Sequence, residues 1–474
     1  MPYAIYPPIG LARLGNSPEE FFVGREEPDG LGLEINADGS ERPVTRFKDM
    51  NFRMKRQGAR FRIFDVTDPA APIEANLPLG TVVRWTVTLC NRKDAIQRPG
   101  GPPAQPRAVI DDPARLDRAM LATANVSGAN AARVAMGASY RAVAVNLGHL
   151  LTDRAQRLIV LGGSGRSESP DNAPIGDSFY NNPGWFDDVA DGPVMATIQL
   201  PNQQPVDAVG AWVIVGPPDF APPANGVVNL YDVIRQVAID QHWLQAPAPP
   251  YFDTDIRPMI ARASSLQHVD PEPTWPTISQ DWAALSDASA AFQPLRETTA
   301  TLVREVENAF HDFELRTWQI DALDSWAAGQ FRAGAAPSRG LCDTLTRAAL
   351  DGALGQGFFP GIEAGINITD PGRYENAAFE FRLSHQASRA GDLTALMALP
   401  WQADFLKCGD SWWPAQRPYR VLTEENVKRP WLRPAMDHSR LAKDVQKLGV
   451  MTPTGGQVVE KDRDPALDSQ IVQA

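Results

Sequence analysis

The chain is 474 residues long, enough for two or three ordinary domains or one large two-part unit, and 43% of it is hydrophobic, which suffices for a sizeable core. Its formal net charge of −12 excludes a nucleic-acid binder that works by displacing counterions. No run of about 18 apolar residues occurs, so no membrane-spanning helix is expected. The proline-broken start MPYAIYPPIGLARLGNS lacks the basic region of a signal peptide, and a cytoplasmic protein is expected. The three cysteines (Cys90, Cys342, Cys408) are too few and too dispersed for a disulfide framework. The six histidines fall into no HxH or HExxH pattern, so no metal is expected.

In chain order, the first half reads as short strands separated by polar, Gly/Pro-rich loops. RFRIFDV (60–66), TVVRWTVTL (81–89), RLIVLGG (157–163), MATIQL (195–200) and AVGAWVIVG (208–216) are β-branched or apolar runs of strand length bounded by turn residues. The basic cluster Lys55, Arg56, Arg60 and Arg62 reads as a solvated strand end. GGSGRS (162–167) follows a strand but matches neither GxGxxG nor GxxxxGK[ST], and reads as a tight turn rather than a phosphate loop. NNPGWFDDVADGPV (181–194) brings Asp187, Asp188 and Asp191 into one loop. Their spacing is not that of an EF-hand, and aspartates in such turns usually cap their own backbone.

From about Val227 a helical period takes over. NLYDVIRQVAIDQHWL (229–244), LRETTATLVREVENAFHDFELRTWQIDAL (295–323) and TLTRAALDGALG (344–355) carry apolar residues at three-to-four spacing, with Trp318 and Trp326 as core positions. The turn FFPGIE (358–363) either packs its phenylalanines in the core or presents Glu363 to a pocket. The tail from about Thr452 is charged and is expected to pack loosely. The resulting fold class is α+β, with a β-rich domain over 1–226 and a mostly helical domain over 227–474 that carries a candidate active-site segment, 391–418.

That segment contains ALPWQADFLKCGDSWWPAQRP (398–418), which sets Asp404 four residues before Cys408 and follows them with Trp412 and Trp413. On a helix this spacing puts carboxylate and thiol on one face. A carboxylate raises the pKa of a neighbouring thiol, which suits a thiolate nucleophile poorly. It suits oxidative cross-linking of thiol and indole, with the carboxylate as base, and the same base suits removal of the α-proton of a bound amine. The alternative from the residues alone is a buried structural cysteine near a capping aspartate.

Read together, IYPPIGLARLGNSPEEFFVG (5–24), KRQGARFRIF (55–64), NNPGWFDDVADGPV, GPPDFAPP…LYDV (216–233), DIRP (255–258), FFPGIE and GDLTALMALPWQADFLKC…WWPAQRP (391–418) resemble the cysteine tryptophylquinone amino-acid oxidases of the lysine ε-oxidase and glycine oxidase type. The resemblance covers nearly the whole chain. It implies that Cys408 is the cysteine cross-linked to a quinone-bearing tryptophan, and that Asp404 is the aspartate needed for quinone formation. It further implies a primary amine or amino acid as substrate, with oxygen as acceptor and ammonia and hydrogen peroxide as products. Maturation by a flavoprotein partner follows from the same resemblance, while homo-oligomerisation stays open. One departure stands out. VQKLG (445–449) resembles the family's W-x-x-L-G stretch, with Val445 where tryptophan is expected, and no tryptophan follows Trp431. Trp412, Trp413 or Trp431 would have to substitute, and His438 is a candidate pocket residue beside Glu363. Two readings follow: an amine oxidase of the tryptophylquinone type, or a quinone-free homologue that binds, assembles or runs other chemistry on an amine-bearing substrate.

Overall fold

The computed structural model describes residues 2–468 apart from 37, 102, 104, 177, 179, 271–276, 310–313, 356–358, 377–378, 408–415 and 434–437; the side chains of 307–309, 406, 407, 438, 439 and 468 are also left undescribed. The first half is β-rich, as the strand-length apolar runs predict. Strands β1 (Ile9–Arg13), β2 (Phe21–Val23), β3 (Arg56–Asp65), β4 (Val82–Asn91), β5 (Met120–Ser127), β6 (Val134–Tyr140), β7 (Val143–Thr152), β8 (Leu158–Gly162), β9 (Ala190–Gln199) and β10 (Ala211–Gly216) belong to one 15-stranded sheet. Its main path runs β6–β7–β8–β3–β1–β10–β9–β4–β5. Neighbours are antiparallel except β1 and β10, which run parallel with Ile9 opposite Trp212. β5 and β6, at the two ends of the path, come together in space, so the sheet curls back toward itself.

Burial along each strand follows from its place in this order. In β5 the residues alternate, with Met120, Ala122, Ala124 and Val126 inward and their neighbours in solvent. In β8 and β10, nearer the middle, every residue is buried, as expected where both faces are covered.

The basic cluster of β3 and the residue before it is a correction to the sequence reading. Lys55, Arg56, Arg60 and Arg62 are all buried rather than solvated. Arg60 is bonded by Glu26 and Glu41, Arg62 by Glu26 and by Glu74 at 2.9 Å, and Lys55 by Glu34 at 2.8 Å and Glu20 at 3.0 Å. β3 is flanked by β8 on one side and β1 on the other, so Lys55, Arg60 and Arg62 meet carboxylates from the 20–41 stretch, and Arg56 meets Gly15 O and His149, instead of water.

The second half supplies helices α1 (Leu230–Asp240), α2 (Arg257–Ser265), α3 (Gln293–Ala309), α4 (Thr317–Ala327), α5 (Leu341–Asp351), α6 (Trp401–Lys407) and α7 (His438–Asp444). α1 starts where Asn229 accepts from the Asp232 amide and Asp232 accepts from the Asn229 amide, a reciprocal cap. Trp318 and Trp326 are buried, as predicted, and donate their indole N–H to Asp232 O and Leu285 O. α5 packs on β1, bringing the helical part against the sheet. The tail also departs from expectation. Strands β11 (Val450–Thr454) and β12 (Gln457–Lys461) form a hairpin that buries Met451 and Val459, and the Met451 amide donates to Phe220 O at 2.8 Å. Glu460 on β12 is buried as well, paired with Arg433 and with Arg463 at 3.2 Å, so part of the tail's charge is neutralised inside the protein. Among the described residues no helix is long and apolar enough to cross a membrane.

Candidate active site

Residues 393–401 of the candidate segment are held by the first residues of β9, the turn before it, and two cations that follow β4. Asp191 accepts from the Thr394 amide at 2.8 Å and hydroxyl at 2.6 Å on one oxygen, and from Trp212 Nε1 at 2.9 Å on the other. Asp187 accepts from the Trp401 amide at 3.0 Å, at the start of α6, where a carboxylate also faces the positive end of the helix. The other partner of that oxygen is the ammonium of Lys93, a fully buried ion pair. Lys93 Nζ also donates to Ala398 O at 2.8 Å. Arg98 donates to Ala395 O at 3.1 Å and Met397 O at 2.8 Å, and Asn182 Nδ2 to Leu399 O at 2.8 Å. Burial pushes the Lys93 ammonium down, with Asp187 opposing, and pushes Arg98 down to about 10. The Asp191 carboxyl is pushed up to about 6 by burial, against the bonds from Thr394 and Trp212.

On α6 every residue from 401 to 405 is buried, and Trp401, Asp404 and Phe405 fall at i, i+3 and i+4. Asp404 is 1% exposed. The Trp401 and Phe405 rings meet edge-on at 4.9 Å, and Phe220 bridges Phe405 to Trp431 with centroids at 6.3 and 4.9 Å. The Trp401 indole N–H is buried with no hydrogen-bond partner among the described residues. Cys408, Trp412 and Trp413 lie outside the described residues.

α7 lies against α6. Gln402 donates to Ala442 O at 3.3 Å, and Trp185, Leu399 and Ala442 form one apolar cluster. His438 opens α7, with its side chain outside the described set. Val445 follows α7 directly and is buried, an aliphatic side chain with no ring to oxidise. The turn it begins is held by Lys48, whose Nζ donates to Gln446 O at 2.8 Å and Leu448 O at 2.7 Å. Burial pushes Lys48 down to about 7. Gln446 Nε2 donates to Ser164 O at 2.9 Å.

The GGSGRS turn has a structural purpose. The Gly165 and Arg166 amides donate to Asp188 at 2.8 and 3.2 Å, so a carboxylate of the protein occupies the place a phosphate would take. A Cβ on Gly163 would lie 2.3 Å from Asp188 Oδ2, and one on Gly165 (φ +78°) 2.0 Å from Gln446 Nε2, so both positions need glycine. Burial pushes the Asp188 carboxyl up to about 7. Among the described residues no group of three or more His, Cys, Asp or Glu could hold a metal.

Glu363 sits elsewhere. It pairs with Arg13 at 2.5 Å and accepts from Gln416 at 2.6 Å and from the Leu354 amide at 2.9 Å, fully buried. Burial pushes its carboxyl up, with Arg13 opposing. Through Gln416 it reaches the first described residue after 408–415, rather than α6 itself. Lys93, Arg98 and Lys48 had no local signal in the sequence. The sequence reading took Asp187, Asp188 and Asp191 as caps of their own turn, whereas all three are buried and accept from distant segments.

A family model described as L-lysine ε-oxidase N-terminal matches residues 6–215, and one described as L-lysine ε-oxidase C-terminal domain matches 302–427. The chain is 25% identical to the L-lysine 6-oxidase of Marinomonas mediterranea over 527 aligned residues, covering 86% of this chain and 71% of the relative. Its fold is similar to the crystal structure of the L-Lys ε-oxidase from the same organism (TM-score 0.77, 20% identity, covering 100% of this chain and 97% of the other). The Schiff base intermediate of that enzyme with L-Lys matches with the same TM-score, identity and coverage.

Proposed function

The chain belongs to the L-lysine ε-oxidase family, and from that premise we propose that it oxidises a primary amine or amino acid, with oxygen as acceptor and release of ammonia and hydrogen peroxide. The observation that carries this reading is the docked segment 391–418. Asp187, Asp191, Lys93 and Arg98 hold it at six backbone positions from Leu393 to Trp401, and Asp404 is buried one turn into α6. In this reading Asp404 is the base that takes a proton from the amine carbon, and Cys408, four residues further along the sequence, is the thioether residue. The family's cysteine tryptophylquinone would supply a carbonyl electrophile and an electron sink. It does not fit in its usual form, because position 445 offers valine in place of an indole. Amine oxidation therefore requires that another indole joins Cys408, with Trp412, Trp413 and Trp431 as the candidates, after maturation by a flavoprotein partner.

Val445 favours a second reading, a quinone-free homologue that keeps the fold and pocket for binding or assembly. Intact mass, peptide mapping and visible absorbance of the chain co-expressed with a flavoprotein partner separate the two. A Cys408 peptide joined to a tryptophan peptide with added oxygen mass supports the oxidase and identifies the indole. An unmodified Cys408 peptide, a mass equal to that of the sequence and no visible band sink it in favour of the quinone-free protein.

A further inference from the structure

A pocket lies between α5 and the strands β1, β2 and β3, with Pro218, Asp219 and Pro222 also lining it. Small residues open it: Gly24, Ala59, Ala348, Ala349 and Gly352 line its walls. Its floor is apolar, with Leu14, Phe22, Phe47 and Met54 all buried. Most polar groups that reach it are already satisfied. Arg13 is neutralised by Glu363 and donates to Pro217 O and Gly352 O. Lys55 and Arg60 have the glutamates described above.

Two groups have hydrogen bonds but no ion pair among the described residues. Arg25 donates to Pro222 O at 2.7 Å and has no carboxylate within ion-pair distance among the described residues. Asp219 accepts from the Ala221 amide at 2.8 Å and likewise has no ion pair. A guanidinium and a carboxylate thus face one apolar pocket without touching each other. Both are desolvated: burial lowers the pKa of Arg25 and raises that of Asp219. Both are half-buried, and each is an opposite charge felt by the other without a direct contact, so a ligand that brings a carboxylate to Arg25 and an ammonium to Asp219 adds charge-assisted hydrogen bonds to both.

We propose that this pocket binds an α-amino acid with an apolar side chain, its carboxylate on Arg25, its ammonium on Asp219 and its side chain on the apolar floor. A bare carboxylate would leave Asp219 unmet, and a bare amine would leave Arg25 unmet. None of the α6 and α7 residues described above lines this pocket, so the proposal stands whether or not the chain oxidises amines.

The test is isothermal titration of the full chain with L-leucine, 4-methylpentanoate and 3-methylbutylamine. L-leucine is expected to bind at one site, and each analogue lacking one charge about 30-fold more weakly. Arg25→Gln, and separately Ala349→Phe, which fills the pocket from α5, are each expected to lose about 30-fold in leucine affinity while keeping the wild-type circular dichroism and melting temperature. Asp219→Asn is expected to weaken leucine but not 4-methylpentanoate. The proposal is overturned if leucine, phenylalanine and methionine all fail to bind at about 10 mM. It is also overturned if leucine affinity survives both Arg25→Gln and Ala349→Phe. Leucine binding lost in Asp404→Asn but kept in Arg25→Gln would assign the amino acid to α6 and overturn it too.

Discussion

Asp188 accepts two amide hydrogens on one oxygen, and burial still dominates, holding its carboxyl at about 7 against an ordinary 3.8. The folded chain therefore keeps a proton there that the unfolded chain releases. Between pH 3.8 and about 7 the native state binds more protons, so stability falls as pH rises through that window. Asp191, pushed up to about 6, acts in the same direction. Asp188→Asn keeps an oxygen for the Gly165 and Arg166 amides and removes the titration. It is expected to be more stable than wild type at neutral pH by up to roughly 4 kcal/mol, and to match it near pH 4, as read from urea midpoints at both pH values. Asp404 supports a different prediction. Asp404→Ala should retain the far-UV circular dichroism spectrum and lose amine-dependent peroxide release; full activity in that variant would remove Asp404 from its proposed role. The sequence pattern singled out Asp404 by its spacing from Cys408. It singled out neither Lys93 nor Lys48, because a lysine that bonds backbone carbonyls far along the chain leaves no periodic trace.

At the scale of elements, the helical period was the most legible feature. It placed a helix over 229–244, and the structure starts that helix with a reciprocal cap between Asn229 and Asp232. Asn229 also donates to Asp351 at 2.7 Å, tying α1 to α5. Asn229→Ala removes the cap and leaves Asp351 short of a donor. A loss of about 1–3 kcal/mol is expected in chemical denaturation, with no change in helix content at low denaturant. Strand interiors were less legible where charge was concerned. RFRIF alternates basic and apolar residues, as a half-solvated strand does, yet its arginines are buried because glutamates from the 20–41 stretch and Glu74 cover them. β5 escaped notice for a related reason: MLATANVS is built on small residues whose alternation carries little hydrophobic contrast.

For the whole molecule, one hydrophobic cluster runs from Ile5 on the sheet through α1 to α4 and on to α6 and the C-terminal hairpin. It draws on both 1–226 and 227–474, the two stretches proposed as domains. A core shared to this extent is expected to melt as one unit, giving a single calorimetric transition whose van't Hoff and calorimetric enthalpies agree. Two separate transitions would show that the stretches fold independently.

The sequence by itself determined the class of each half, the positions of the main helices, and the Asp404–Cys408 pair with its missing downstream indole. These are set by local period and residue identity, which survive any arrangement in space. The tertiary structure decided what the loop carboxylates do. Asp187, Asp188 and Asp191 lie within five residues of one another, yet each serves a different distant segment: α6, the GGSGRS turn and Thr394. It likewise decided that Glu363 answers Arg13 rather than α6, and that Arg25 and Asp219 face one pocket unpaired. Such assignments depend on which buried charge meets which donor once water is excluded, and neither composition nor spacing encodes that meeting.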